Sequence, residues 1–211
     1  KLENKNSLAY LKPTKDFFVG SSFENVSCKK NQSRNFNKKY LEAQRGFDRY
    51  NDDFFRKIKL KYIVLCSDLE IAGIPALGFA NPEMKTLIFN INTNNSNFER
   101  VLHHEVFHII EHNFNKYFLN ISWGDLNSKK FKYSACSTCS NNYSLEKTYN
   151  SKGFVSEYAK STISEDMAET FSFMMSNNNL ILDMVNKDEI LNNKVKVIKN
   201  IIKKLDINHK F

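Results

Sequence analysis

Turn-forming residues are scarce in this sequence: six glycines and three prolines in 211 residues. That excludes a fold of many short strands joined by tight turns and favours a helix-rich chain. No apolar run approaches ~20 residues, so no transmembrane helix is expected. No secretory leader is visible in this chain, which starts at Lys1. The expected setting is nevertheless secreted or cell-envelope associated.

Cysteine is also rare, with Cys28, Cys66, Cys136 and Cys139. Cys136-Ser137-Thr138-Cys139 is a C-x-x-C. A structural zinc site wants a second such pair, which Cys28 and Cys66 do not form. A redox motif wants a thioredoxin-like βαβ setting, which is absent. A local loop disulfide or free thiols remain. There is no internal repeat and no linker, so one domain is expected over 1–211. It would hold an N-terminal helical region (1–59), a sheet with an active-site helix (60–112), and a loop with C-terminal helices (113–211).

What the chain does have is apolar mass. Hydrophobic residues make up 41%, with 18 Phe and 9 Tyr, enough for a core without disulfide or metal staples. The formal charge of +8 raises the question of nucleic acid or an anionic surface. The lysines are scattered, however, and the densest basic stretch, Lys194 to Lys204, has the spacing of a helix's wet face. No nucleic-acid motif appears. A monomer with no nucleic-acid partner is expected.

The chain then alternates apolar and polar residues in segments. Residues 1–33 offer a short packing element around Leu8, Leu11, Phe17, Phe18 and Val19 that wraps the domain. Tyr40, Leu41, Phe47, Tyr50, Phe54, Phe55 and Ile58 share a helical face over 37–59. Lys61 to Leu69 and Thr86 to Ile91 read as strands, separated by a loop punctuated by Gly73, Pro75 and Gly78. An edge strand at Thr86–Ile91 would border the active cleft and could pair with an extended peptide. Ser96-Asn97-Phe98-Glu99 follows the capping-box pattern and opens a helix over 97–113. Thr162-Ile163-Ser164-Glu165 does the same for a helix through Met175. Helices over 180–185 and 189–205 follow.

The first of these capped helices carries His104-Glu105-Val106-Phe107-His108, an H-E-x-x-H. Positions i and i+4 lie on one helix face, so both imidazoles can reach one metal ion. Glu105 sits beside them, where it can take a proton from a water at the metal. A catalytic zinc needs a third protein ligand. His112 shares the face, but eight residues of helix span ~12 Å, against Zn–N bonds of ~2 Å. His112 and His103 are therefore assigned to the surface or to a supporting role. Glu165 and Glu169, spaced i, i+4 on the later helix, face the same way. One of them can ligate while the other accepts the N–H of a ligating imidazole. Asp125 ranks below Glu165 because it lies in an irregular segment.

Here a resemblance becomes specific. Ser156-Glu157-Tyr158-Ala159 followed by Glu165-Asp166-Met167-Ala168-Glu169 resembles the S-x-Y-A…E-D-x-A-E signature of gluzincin metallopeptidases, in the family of the anthrax lethal factor catalytic domain and the clostridial pro-Pro endopeptidases. Trp123, Leu126-Asn127, Phe131, Tyr133 and Gly153-Phe154-Val155-Ser156 also look like a set of bacterial zinc-binding metallopeptidases. The likeness runs over about 60–205 and is sharp at 104–108 and 153–171. It implies a zincin-like α+β fold with a small mixed sheet and a mostly helical C-terminal part. It also implies zinc, one ion per chain, held by His104, His108 and Glu165. Tyr158 would be the oxyanion donor and Glu169 a supporting carboxylate; Asp166, a first-turn carboxylate that suits the helix dipole, is expected to cap or support the helix. The implied activity is zinc-dependent endopeptidase, with a protein or peptide as substrate. The alternative is a catalytically silent metal-binding or toxin-like interaction module.

Overall fold

The structure is a computed structural model that describes residues 6–20, 25–30, 35–51, 53–92, 97–137 and 151–205. The chain falls into two compact units, residues 1–113 and 114–211.

Among the described residues, the first unit holds two four-stranded sheets and three helices. In chain order these are β1 (Ala9–Leu11), β2 (Phe17–Val19), β3 (Val26–Cys28), α1 (Phe36–Phe47), α2 (Phe54–Lys57), β4 (Tyr62–Cys66), β5 (Leu69–Ile71), β6 (Ile74–Pro75), β7 (Gly78–Asn81), β8 (Thr86–Asn90) and α3 (Phe98–Asn113). One sheet runs β1-β4-β8-β7, with β1, β4 and β8 parallel and β7 antiparallel to β8. The other runs β2-β3-β5-β6, all antiparallel. Strand β8 is buried throughout and β4 at four of five positions. Strands covered on both faces read as continuous apolar runs, as these two do.

A disulfide joins the sheets. Cys28 on β3 is bonded to Cys66 on β4, with a Cα–Cα distance of 5.5 Å across a sequence separation of 38. Val26, Val64, Leu69 and Ile88 pack around it. In the chain-entropy description, closing a loop of that size stabilises the fold by about 4 kcal/mol. On the opposite flank, α1 packs on α3 at Gly46, where an added Cβ would lie 2.9 Å from Leu102. Phe47, Tyr50, Phe54 and Phe55 form an aromatic cluster next to that contact.

Four sequence expectations change here. The first 59 residues open with strands β1–β3 rather than helix; each strand is three residues long, too short for a period to register. The single helical face over 37–59 is two helices, α1 and α2, broken between Asp48 and Asp53. The strand at Thr86–Ile91 is interior, paired on both sides, and the edge strand beside it is β7. The stretch taken for a punctuated loop supplies β6 and β7.

The second unit contains α4 (Ile163–Ser176), α5 (Asn178–Val185) and α6 (Glu189–Lys204), preceded by 3-10 turns at Trp123–Leu126 and Tyr158–Lys160. Each long helix starts on a side-chain cap. Thr162 accepts from the Glu165 N–H at 3.2 Å, and Asp188 accepts from the Leu191 N–H at 3.0 Å. The polar centre of the unit is Asp166, fully buried in the first turn of α4. Its Oδ2 accepts from Trp123 Nε1 at 2.8 Å, Tyr133 Oη at 2.5 Å and Lys194 Nζ at 2.6 Å. Lys194 also donates to the Gly153 carbonyl at 2.6 Å and lies 3.9 Å from the centre of the Phe154 ring. Gly153 has φ +87°, and a Cβ there would collide with Ile190 at 2.6 Å, so glycine is required twice over.

Lys194 was assigned to a wet helix face and is completely buried instead. Asp166, expected to cap or support the helix, is the acceptor that ties α4, α6 and the Trp123 turn together. Among the described residues, no helix is long and apolar enough to cross a membrane.

Candidate metal centre

Helix α3 delivers two ring nitrogens to one point. His104 Nε2 and His108 Nε2 lie 3.1 Å apart, with their rings at 76°. Two nitrogens bound at ~2.0–2.1 Å to one tetrahedral zinc are about 3.3 Å apart, so the spacing fits a shared ion. The far side of His108 is turned to a carboxylate, with Nδ1 3.6 Å from Glu111 Oε2. A partner on that nitrogen leaves Nε2 to face the metal. Glu105 is buried beside the pair, against the start of edge strand β7 at Gly78.

The neighbouring histidines part company. His112 is exposed, as expected. His103, assigned to the surface or a supporting role, is fully buried on the opposite side of α3. Its Nδ1 is 2.7 Å from Tyr50 Oη and its Nε2 is 3.8 Å from Glu99 Oε1. Burial drives the His103 pKa down, so the ring is held neutral. Glu99, with the His103 ring 3.8 Å away and Arg49 Nε donating to it at 2.7 Å, is held down to about 2. Ser96, the cap proposed for α3, lies outside the described residues, as does Cys139. Cys136 is disulfide-bonded.

Glu165 stands in the first turn of α4, held there by the Thr162 cap. Tyr158 is half-buried in the short turn ahead of it. That turn is tied to α4 through Ser156, whose hydroxyl accepts from the Ala159 N–H at 3.1 Å and donates to Glu169 Oε2 at 2.5 Å. Both Ser156 and Glu169 are buried. Next to Glu165, burial raises the Asp166 pKa against the pull of Lys194, Tyr133 and Trp123, and lowers that of Lys194. Asp125 is exposed.

His104, His108 and Glu165 form a group that could hold a metal ion: one ligand atom from each lies within 4.8 Å of the others. No other group of three or more His, Cys, Asp or Glu side chains among the described residues does so. Two imidazoles and a carboxylate are a donor set used by catalytic zinc. The family model described as "Putative zinc-binding metallo-peptidase" matches residues 28–211. The chain belongs to this zinc-binding metallo-peptidase family. A search of the curated proteins found no match. The family match spans α3, α4 and the Tyr158 turn, so every candidate site residue lies inside it. It begins at Cys28, one end of the disulfide, and leaves β1 and β2 outside.

Residues that sequence reasoning missed are Gly78, Ser156 in its fastening role, and the Asp166–Lys194 pair. Ser156 and Asp166 lay within stretches already singled out, but without these partners. Gly78 was taken as loop punctuation, and a buried lysine leaves no mark in a helix whose other lysines are solvated.

Proposed function

We propose that the protein is a zinc-dependent endopeptidase of the gluzincin type, related to the group that contains the anthrax lethal factor catalytic domain and the pro-Pro endopeptidases. The observation that carries this reading is the convergence of His104, His108 and Glu165 in a chain of a zinc-binding metallo-peptidase family. These three residues would hold the ion. When bound, zinc supplies Lewis acidity, polarising the scissile carbonyl and making a water acidic near neutral pH.

The protein's own groups handle the protons and the charge. Glu105 takes a proton from the attacking water and returns it to the leaving amine as general acid. Its burial beside the two histidines suits both transfers. Tyr158 donates a hydrogen bond to the oxygen on which negative charge develops. Ser156 and Glu169 keep the Tyr158 turn seated on α4.

The substrate pairs with β7 rather than with β8. The Asn90 N–H bonds the Leu77 carbonyl at 3.0 Å, so Leu77 and Asn90 form a hydrogen-bonded pair. In an antiparallel ladder such pairs alternate with pairs whose backbone groups face away. Gly78, opposite Phe89, and Ala80, opposite Leu87, therefore turn their N–H and C=O groups to the open edge. An extended peptide can add there as a further strand.

A secreted or cell-envelope setting is part of this proposal. Two observations support it: the buried Cys28–Cys66 bridge and the disulfide at Cys136. Disulfides of this kind persist in oxidising compartments.

The test is a peptide library digested by zinc-loaded protein, with Glu105→Gln as control. The native protein is expected to bind one zinc per chain and cleave. Glu105→Gln is expected to keep its zinc and lose proteolysis by roughly 10²–10⁴-fold or more. Full activity in a metal-free preparation would sink the proposal.

A further inference from the structure

Gly78 sits where the edge strand meets Glu105. A Cβ built on it would lie 2.7 Å from Glu105 Cγ, 2.8 Å from Oε1 and 3.0 Å from Cδ. Real Cβ atoms essentially never come so close, so with any other residue something must shift. The backbone offers no other reason for glycine. The positive-φ glycines are Gly20, Gly73 and Gly153, and Gly78 is in an ordinary extended conformation. Glycine inside a strand weakens it and marks a close approach of some other group. Here that group is the carboxylate assigned to proton transfer.

We infer that Gly78 is a positioning residue: its missing side chain leaves the space in which the Glu105 carboxylate is held against the edge strand. The inference rests on the assignment of Glu105 as proton acceptor. The atoms in the way belong to the end of a flexible side chain, not to backbone. An alanine at 78 therefore leaves strand pairing intact and pushes the carboxylate aside. The same geometry serves the substrate. Gly78 is one of the two residues whose backbone faces the open edge, so one residue sets both the peptide's register and the place of the base. The base is thereby fixed with respect to the bond it serves.

The experiment compares native protein, Gly78→Ala, Glu105→Asp and the double variant, all zinc-loaded. For Gly78→Ala the expected result is one zinc per chain, a melting temperature no lower than native, KM within about threefold and kcat down roughly 10- to 100-fold, the scale of an ångström-sized misplacement. Aspartate is shorter by one methylene and relieves the clash. Glu105→Asp is therefore expected to cost a smaller factor in the Gly78→Ala background than in the native one. A crystal structure of Gly78→Ala should have the Glu105 side chain in a different rotamer. Native kcat in Gly78→Ala, or losses that simply multiply in the double variant, would overturn the inference. So would loss of zinc or of the fold in Gly78→Ala, because only the carboxylate should move. Native activity in Glu105→Gln would instead overturn the assignment of the base itself, which separates the two failures.

Discussion

Lys194 brings an ammonium group to a fully buried site and meets Asp166 there at 2.6 Å. Removing two charges from water is costly, and the pair offsets that cost only while both partners remain. Lys194→Met leaves a buried carboxylate with two neutral donors. It should lower stability by about 3–5 kcal/mol in urea unfolding, and adding Asp166→Asn should recover part of the loss. Glu99 gives a pH-dependent counterpart. Its folded pKa of about 2 lies below the ordinary value of 4.5, so its contribution is complete above 4.5 and is lost as the pH falls towards 2. The melting temperature of the native protein should therefore converge on that of Glu99→Gln over this window, while the two stay apart at pH 6. These residues mark the limit of what the sequence discloses. His104, Glu105 and His108 declare themselves because one helix fixes their geometry. Lys194 and His103 do not, since a period of 3.6 says which face a residue occupies but not whether a buried polar partner awaits it there.

Helices α3 and α4 were legible almost to the residue, expected over 97–113 and 162–175 and found at Phe98–Asn113 and Ile163–Ser176. Capping-box patterns and long apolar stripes are local signals, and the sequence carries both for each helix. Strand β7 was not legible. Its four residues, Gly-Phe-Ala-Asn, have no alternation, and its status as an edge depends on which strand β8 finds on its other side. That is a long-range fact which local pattern does not contain. The cap at Thr162 links element to site, because its hydroxyl holds the backbone of Glu165 itself. Thr162→Ala should cost about 1 kcal/mol of stability. It should also weaken zinc binding measured by chelator competition, whereas a cap change at Asp188, on a helix without ligands, should affect stability alone.

On the scale of the whole chain, the sequence correctly placed a mixed α+β protein with a small sheet before the motif and helices after it. The second sheet escaped notice, since β2, β3, β5 and β6 are two or three residues each. So did the Cys28–Cys66 bridge, because two cysteines 38 apart carry no signature of pairing. Strand β1 has a further consequence. It lies ahead of residue 28, where the family match starts, yet it pairs in parallel with β4, and Leu8 and Tyr10 are fully buried. The matched region and the folding unit thus have different boundaries. A chain begun at residue 28 would turn β4 from an inner strand into a rim, offering the row Tyr62 to Cys66 to any passing strand. Such a shortened protein should self-associate on size-exclusion chromatography, while one begun at residue 6 should elute like the full chain. Trimming to the homologous region would remove no candidate site residue and would still produce an aggregation-prone protein.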